Sequence, residues 1–119
     1  MEEDIREWLK KSESDFDAAR FNLEGKKYDV AAFLSQQAAE KALKAVYIKR
    51  FKSLLKIHDL VLLCRKLGAP KEIEDVCKTL TAFYIETRYP GIVDEIGEKE
   101  AANALAYSQK VIEWSKKNL

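Results

Sequence analysis

The sequence predicts an all-α fold, an up-and-down antiparallel bundle of about five helices, and three observations predict it. Ala and Leu together number 27 against 17 for Val, Ile and Thr, a balance that favours helix over strand. The chain holds only four glycines and two prolines, each placed where a helix should stop. Between those stops, apolar residues recur every three or four positions instead of every second one. At 119 residues the chain makes one domain, 1–119, because a second would leave neither half enough chain for a core.

The first helix, about 3–24, puts Ile5, Trp8, Leu9, Ser12, Phe16, Ala19 and Leu23 on one stripe, with Lys10, Lys11, Glu13, Ser14 and Asp17 outside it. Gly25 is expected to end it in a left-handed cap. Asp29 is the expected N-cap of a second helix, about 30–51. Its stripe is Val30, Phe33, Leu34, Ala38, Ala42, Ala45 and Val46, and so many alanines let a neighbouring backbone come close. No Gly or Pro divides it from the third helix; residues 53–57 are expected to form the break, with His58 and Asp59 opening a short helix that Gly68 closes. Pro70 suits the first position of a fourth helix, about 70–87, which should bury Ile73, Val76, Cys77, Leu80, Phe83 and Tyr84. Pro90 and Gly91 stop it, a loop of about 90–97 follows, and the last helix, about 98–118, carries Ala101, Ala104, Leu105, Tyr107, Val111, Ile112 and Trp114.

Composition narrows the function. No apolar run approaches the roughly 18 residues that span a bilayer, and the acidic start, Met1-Glu2-Glu3-Asp4, is unlike a secretory leader. A cytoplasmic protein with no membrane contact is expected. One His and two well-separated cysteines on apolar faces exclude a structural zinc site, so neither metal nor cofactor is expected. The net charge of +1 points to no partner. No phosphate-cradling, dinucleotide or nucleophile-elbow motif is present, and Leu55 stands where a di-iron bundle would need an acid before His58.

Three features depart from a plain bundle. Between Glu40 and Asp59 there is no acid, yet Lys41, Lys44, Lys49, Arg50, Lys52 and Lys56 all fall there. Such a run makes a local positive surface that attracts phosphate, unless it is an ordinary solvated helix end beside the C-terminal dipole. Arg88 and Tyr89 precede the Pro90 break: the guanidinium fork suits phosphate oxygens and the phenol offers a stacking face. The structural alternative has Tyr89 closing the bundle end while Arg88 pairs with Glu86 or Asp94. His58, at the positive end of a helix dipole, is expected as a neutral ring that donates and accepts, either capping or handling a proton.

Taken together, these residues resemble the HEPN domain, an all-helical family. The resemblance spans nearly the whole chain: Trp8 and Ala18-Ala19; Tyr28 followed by Ala31-Ala32-Phe33; the string from Gln36 to Ala45 (QQAAEKALKA), its most specific part; His58-Asp59-Leu60; and Arg88-Tyr89-Pro90. It implies a helical bundle that usually dimerises, and a minimal nucleotidyltransferase subunit as partner in a two-gene toxin–antitoxin pair. Active toxin members resemble metal-independent ribonucleases in which an R-x(4–6)-H motif from each copy meets in a cleft between them. There the Arg stabilises charge on the phosphorane and the His handles the 2′-hydroxyl proton.

This chain departs from that motif. The positions allowed for the His after Arg88 hold Val93, Asp94 and Glu95, and an ionised carboxylate there repels phosphate. The Tyr that follows the His in some toxins has no counterpart, since Ile96 lies two beyond Asp94. The ribonuclease site carries over for Arg88 alone, and His58 matches a fold element of the family.

The expectation is a homodimeric, catalytically degenerate HEPN protein that holds nucleotide or RNA phosphate through Arg88, Tyr89, Lys41, Lys44, Lys49, Arg50 and Lys52 beside a nucleotidyltransferase. Two alternatives stay open: an active ribonuclease toxin in which His58 and Arg88 meet across a dimer, and a dimeric adaptor that binds no nucleotide.

Overall fold

The computed structural model describes residues 2–88 and 96–119; the side chains of Tyr84, Glu86, Thr87 and Arg88 fall outside the description. Five helices follow in order: α1 (Glu2–Glu24), α2 (Tyr28–Phe51), α3 (Leu60–Leu67), α4 (Lys71–Arg88) and α5 (Glu98–Lys117). No helix among these residues is long and apolar enough to cross a membrane.

The bundle is built around α2, which buries thirteen of its 24 residues. Its alanines 31, 32, 38, 39, 42 and 45 are fully buried, and their small side chains let other backbones approach. Two serine hydroxyls mark that approach: Ser12 of α1 donates to the Ala38 carbonyl and Ser108 of α5 to the Ser35 carbonyl, each at 2.6 Å. The pairings Ile5 with Ala45 and Ala19 with Ala31 make α1 antiparallel to α2. The pairings Ala101 with Ala31 and Ile112 with Ala38 make α5 parallel to α2. The main core joins α2 to α3, α4 and α5 through Leu43, Val46, Leu60, Leu63, Leu80 and Val111. Among the described side chains of the expected stripes, Val30 alone faces out, at 40% exposure; that of Tyr84 lies outside the description. Asp15 was not on any expected stripe, yet it is buried against Lys41 of α2.

Helix ends differ from expectation by one or two residues. Gly25 is not the left-handed residue after α1; Lys26 is, with φ 62°. The Lys27 and Lys26 amides bond back to the Asn22 and Leu23 carbonyls, a Schellman closure whose left-handed position falls on the lysine. α2 starts from Lys27 with no side-chain cap, so Asp29 is a first-turn acid and not the N-cap. The break after α2, which no Gly or Pro announces, is made by Lys52 at φ 56°. Asp59 caps α3 through its carboxylate on the Leu62 amide, and Gly68 closes that helix at φ 66°. Pro70 sits one position before α4, its carbonyl accepting from Ile73 and Glu74. The expected stop at Pro90 and Gly91 lies outside the described residues.

Candidate functional site

The acid-free run of α2 is partly neutralised in space, by Glu40 within the helix and by two acids of α1. Lys41 pairs with Asp15 of α1, both side chains largely buried. Lys44 lies inside the protein, its Nζ 3.1 Å from Glu40 Oε2 and 5.4 Å from the Trp8 ring centre. Lys49 reaches Glu2 at 3.4 Å in an exposed pair. Arg50 donates to the Leu67 carbonyl and, at 3.2 Å, to Asn118 Oδ1, with its guanidinium 5.9 Å from the Trp114 ring centre. It therefore clamps the ends of α2, α3 and α5 together. Lys52 and Lys56 are exposed and have no ionic partner among the described residues. Three of the six cations in the 41–58 run thus have a carboxylate partner, and for Lys41 and Lys49 it lies 26 and 47 residues away in sequence, where a local charge count cannot find it.

The string QQAAEKALKA acquires a physical meaning here. Gln36, Glu40 and Lys44 stand four apart, so they share one stripe of α2 while the alanines between them carry the close packing. The Glu40 carboxylate, 3% exposed, accepts from Lys44 and from Gln36 Nε2 at 3.5 Å, and lies 3.0 Å from His58 Nδ1. Gln37 in turn donates to Gln36 Oε1 at 2.6 Å. Because a carboxylate only accepts, Nδ1 carries the proton in this contact. His58 is therefore turned from the α3 dipole toward α2. The contact ties residues 52–59 back onto the middle of α2, and the side chain stays 71% exposed. Sequence reasoning quoted Glu40 only as part of a resemblance and missed its role; the signal was the i, i+4, i+8 spacing of three polar groups in an alanine-rich helix.

Arg88 is the last residue of α4, and its side chain, like Tyr89, Asp94 and Glu95, lies outside the described residues. Its place along the bundle is fixed by the backbone. α4 starts beside the Arg50 clamp and is followed by Ile96, which packs on the Ala19, Ala31 and Ala101 cluster at the opposite end. Arg88 thus belongs to the end that holds the α1–α2 turn, Lys52 to the other end, and His58 to the middle. Among the described side chains, Lys52 and His58 are not brought together; that of Arg88 lies outside the description.

The described residues include a groove and a smaller cleft. A groove of about 310 Å³ runs between α1 and α5 over Phe16 and Ile112, edged by Glu13, Asp17 and Glu113 against Arg20 and Lys116. Its carboxylates outnumber its cations, which disfavours phosphate. A smaller cleft of about 150 Å³ lies between Trp8, Ile48 and Leu54. Neither contains a residue expected to bind phosphate. Among the described residues, no three His, Cys, Asp or Glu side chains are gathered to hold a metal.

The family model described as HEPN domain matches residues 5–119. No curated protein matches the chain. Among solved structures, TT1696 from Thermus thermophilus superposes with a TM-score of 0.90 at 29% identity, covering 97% of this chain and 98% of its own. ST0689, an archaeal HEPN homologue, gives 0.81 at 28% identity with 95% of each chain covered. A HEPN domain protein from Thermotoga maritima gives 0.75 at 24% identity, covering 93% and 95%, and speaks for the fold alone.

Proposed function

The chain belongs to the HEPN family, and we propose that it holds RNA or nucleotide phosphate without cleaving it, as the helical subunit beside a minimal nucleotidyltransferase in a toxin–antitoxin pair. HEPN proteins are commonly dimeric, and the proposal takes this one as a homodimer. The observation that carries the reading is the engagement of the only imidazole: His58 is bound to Glu40 in mid-bundle, while Arg88 ends α4 with Val93, Asp94 and Glu95 in the following positions. A guanidinium without a neighbouring base binds a phosphodiester and leaves its 2′-hydroxyl protonated.

Arg88 and Tyr89 are the proposed phosphate and base contacts, with Lys52 as a second cation. Lys41, Lys44 and Arg50 are engaged internally, and Lys49 holds only an exposed pair of the kind worth little. Lys52 follows α2 and Arg88 ends α4, and the proposal takes the two cations as far apart on a body 39 Å long. An RNA strand spans that length and a mononucleotide does not, which favours RNA as the ligand. Titration calorimetry with a short single-stranded RNA tests this. Arg88→Ala should weaken binding measurably at low salt, and equal affinities and heats from variant and wild type would sink the reading.

One observation favours the ribonuclease reading. A carboxylate-held imidazole that is mostly exposed has the form of an acid–base group, and an arginine from a second copy could meet it there. Incubating RNA with the protein in EDTA decides: cleavage that His58→Ala abolishes would replace the binding role with a catalytic one.

A further inference from the structure

Cys64 on α3 and Cys77 on α4 take no part in phosphate binding, yet they face each other across the helix pair. Both are buried, 1% and 0% exposed, and their sulfurs are 3.2 Å apart. The surrounding contacts set that register. Arg65 Nε lies 2.5 Å from Glu74 Oε1, linking the same two helices on their outer side. The Ala69 amide donates to the Cys64 carbonyl at 3.0 Å in the tight turn at Gly68. Two thiols that lie thirteen residues apart in the chain are thus held face to face by a turn, an ion pair and the core around them.

We propose that Cys64 and Cys77 are a dithiol pair that closes into an intramolecular disulfide by exchange with a small disulfide oxidant, locking α3 onto α4. The sulfurs must approach by about 1 Å to reach the bonded separation of about 2.05 Å, a movement within reach of two side-chain rotations. In the first step one cysteine thiolate attacks the oxidant; its S–S bond breaks and one small thiol leaves. In the second, the other cysteine thiolate attacks the mixed disulfide and releases the second small thiol. Two electrons and two protons pass from the protein to the oxidant, which is reduced to two thiols.

The geometry also sets the rate. The hydrogen bond with Cys64, and then burial, hold the Cys77 thiol far above its ordinary range, so it stays protonated in the closed fold. Only the thiolate attacks. Exchange therefore runs through opening of α3, an eight-residue helix that is too short to persist alone. A solvated redox cysteine would react without any opening.

The test treats the full folded chain with oxidised glutathione, then alkylates free thiols in urea and measures intact mass. The expected product is a monomer about 2 Da lighter with no alkylated thiol, and a non-reducing digest that joins the peptides of Cys64 and Cys77. Its thermal midpoint should rise by roughly 10 °C, as for a bridge closing a loop near 15 residues, and dithiothreitol should reverse the rise. Mild urea should speed bridging several-fold. Cys64→Ala should show neither the mass loss nor the rise, and if that variant fails to fold, the wild-type mass and digest decide alone. Two alkylatable thiols, a persistent glutathione adduct, a disulfide-linked dimer or a bridged protein with a lowered midpoint would each overturn the proposal.

Discussion

Glu40→Ala should be among the most damaging single changes in the protein, although Glu40 touches no proposed ligand. The side chain of Lys44 is 5% exposed and its ammonium is 3.1 Å from the Glu40 carboxylate. Removing the carboxylate leaves that cation buried, and breaking a buried pair from one side costs about 3–5 kcal/mol. The Trp8 ring at 5.4 Å offsets up to about 2 kcal/mol of this. The lost His58 contact adds little, because its ring is mostly in water. The net cost is about 3 kcal/mol, against a total of roughly 6–18 kcal/mol for a chain this size. With a urea slope near 2 kcal/mol/M, the unfolding midpoint should fall by about 1.5 M. Lys44→Met should cost a similar amount. The pair Glu40→Leu with Lys44→Met should recover to within about 1 kcal/mol of wild type, because both buried charges are then gone. A midpoint shift below about 0.3 M for Glu40→Ala, or a double variant as unstable as the sum of the singles, would refute the reasoning. The same cycle followed by hydrogen exchange should show faster exchange over 52–59 whenever Glu40 is absent.

Three further outcomes are expected from equilibrium unfolding of single variants. Gly68→Ala should cost about 1–2 kcal/mol: an added Cβ meets nothing within 4 Å, so the penalty is the backbone's at φ 66° alone. Lys26→Gly should stabilise by about 0.5–1 kcal/mol, because it puts the permissive residue where the Schellman turn has its left-handed position. Ala38→Leu should cost at least about 1–3 kcal/mol, since Ala38 is fully buried where Ser12 of α1 meets the backbone and Ile112 of α5 packs alongside.

The helices were legible because their stops are local. Gly68 closes α3 and Asp59 caps it, as a chain reader would expect, since each acts on residues within four positions. The α1 cap was misplaced by one residue for a related reason: glycine is the usual left-handed residue, but closure after Glu24 places that conformation on Lys26. The break at Lys52 has no sequence signal, because a lysine can take φ 56° when the chain beyond it is tied down by His58 on Glu40. The candidate site was less legible. Asp15, Glu2 and Asn118 each engage a member of the basic run from 26, 47 and 68 residues away. Charge patterning along a chain measures neighbours in sequence, whereas neutralisation happens between helices. Among the described residues, no buried side-chain polar atom lacks a partner, so the inner face of α2 is saturated.

That difference between sequence and space can be read from one slope. Counted along the chain, Lys41, Lys44, Lys49, Arg50, Lys52, Lys56 and Arg88 offer seven cations to an RNA backbone. Ion pairs and carbonyl contacts occupy four of them, leaving Lys52, Lys56 and the proposed Arg88. Each phosphate neutralised on a single strand contributes about −0.7 to the slope of log K against log salt. Seven contacts per protomer give about −5, three give about −2. A buried pair such as Lys44 with Glu40 stays closed, because opening it would strand both charges. An exposed pair such as Lys49 with Glu2 exchanges its carboxylate for a phosphate at little cost, which moves the expected slope to no steeper than about −3. Fluorescence titrations of a labelled oligonucleotide between low and physiological salt measure it directly. A slope near −5 would mean that the lysines of α2 leave their partners on binding, and the assignment of phosphate contact to the molecule's ends would fall with them.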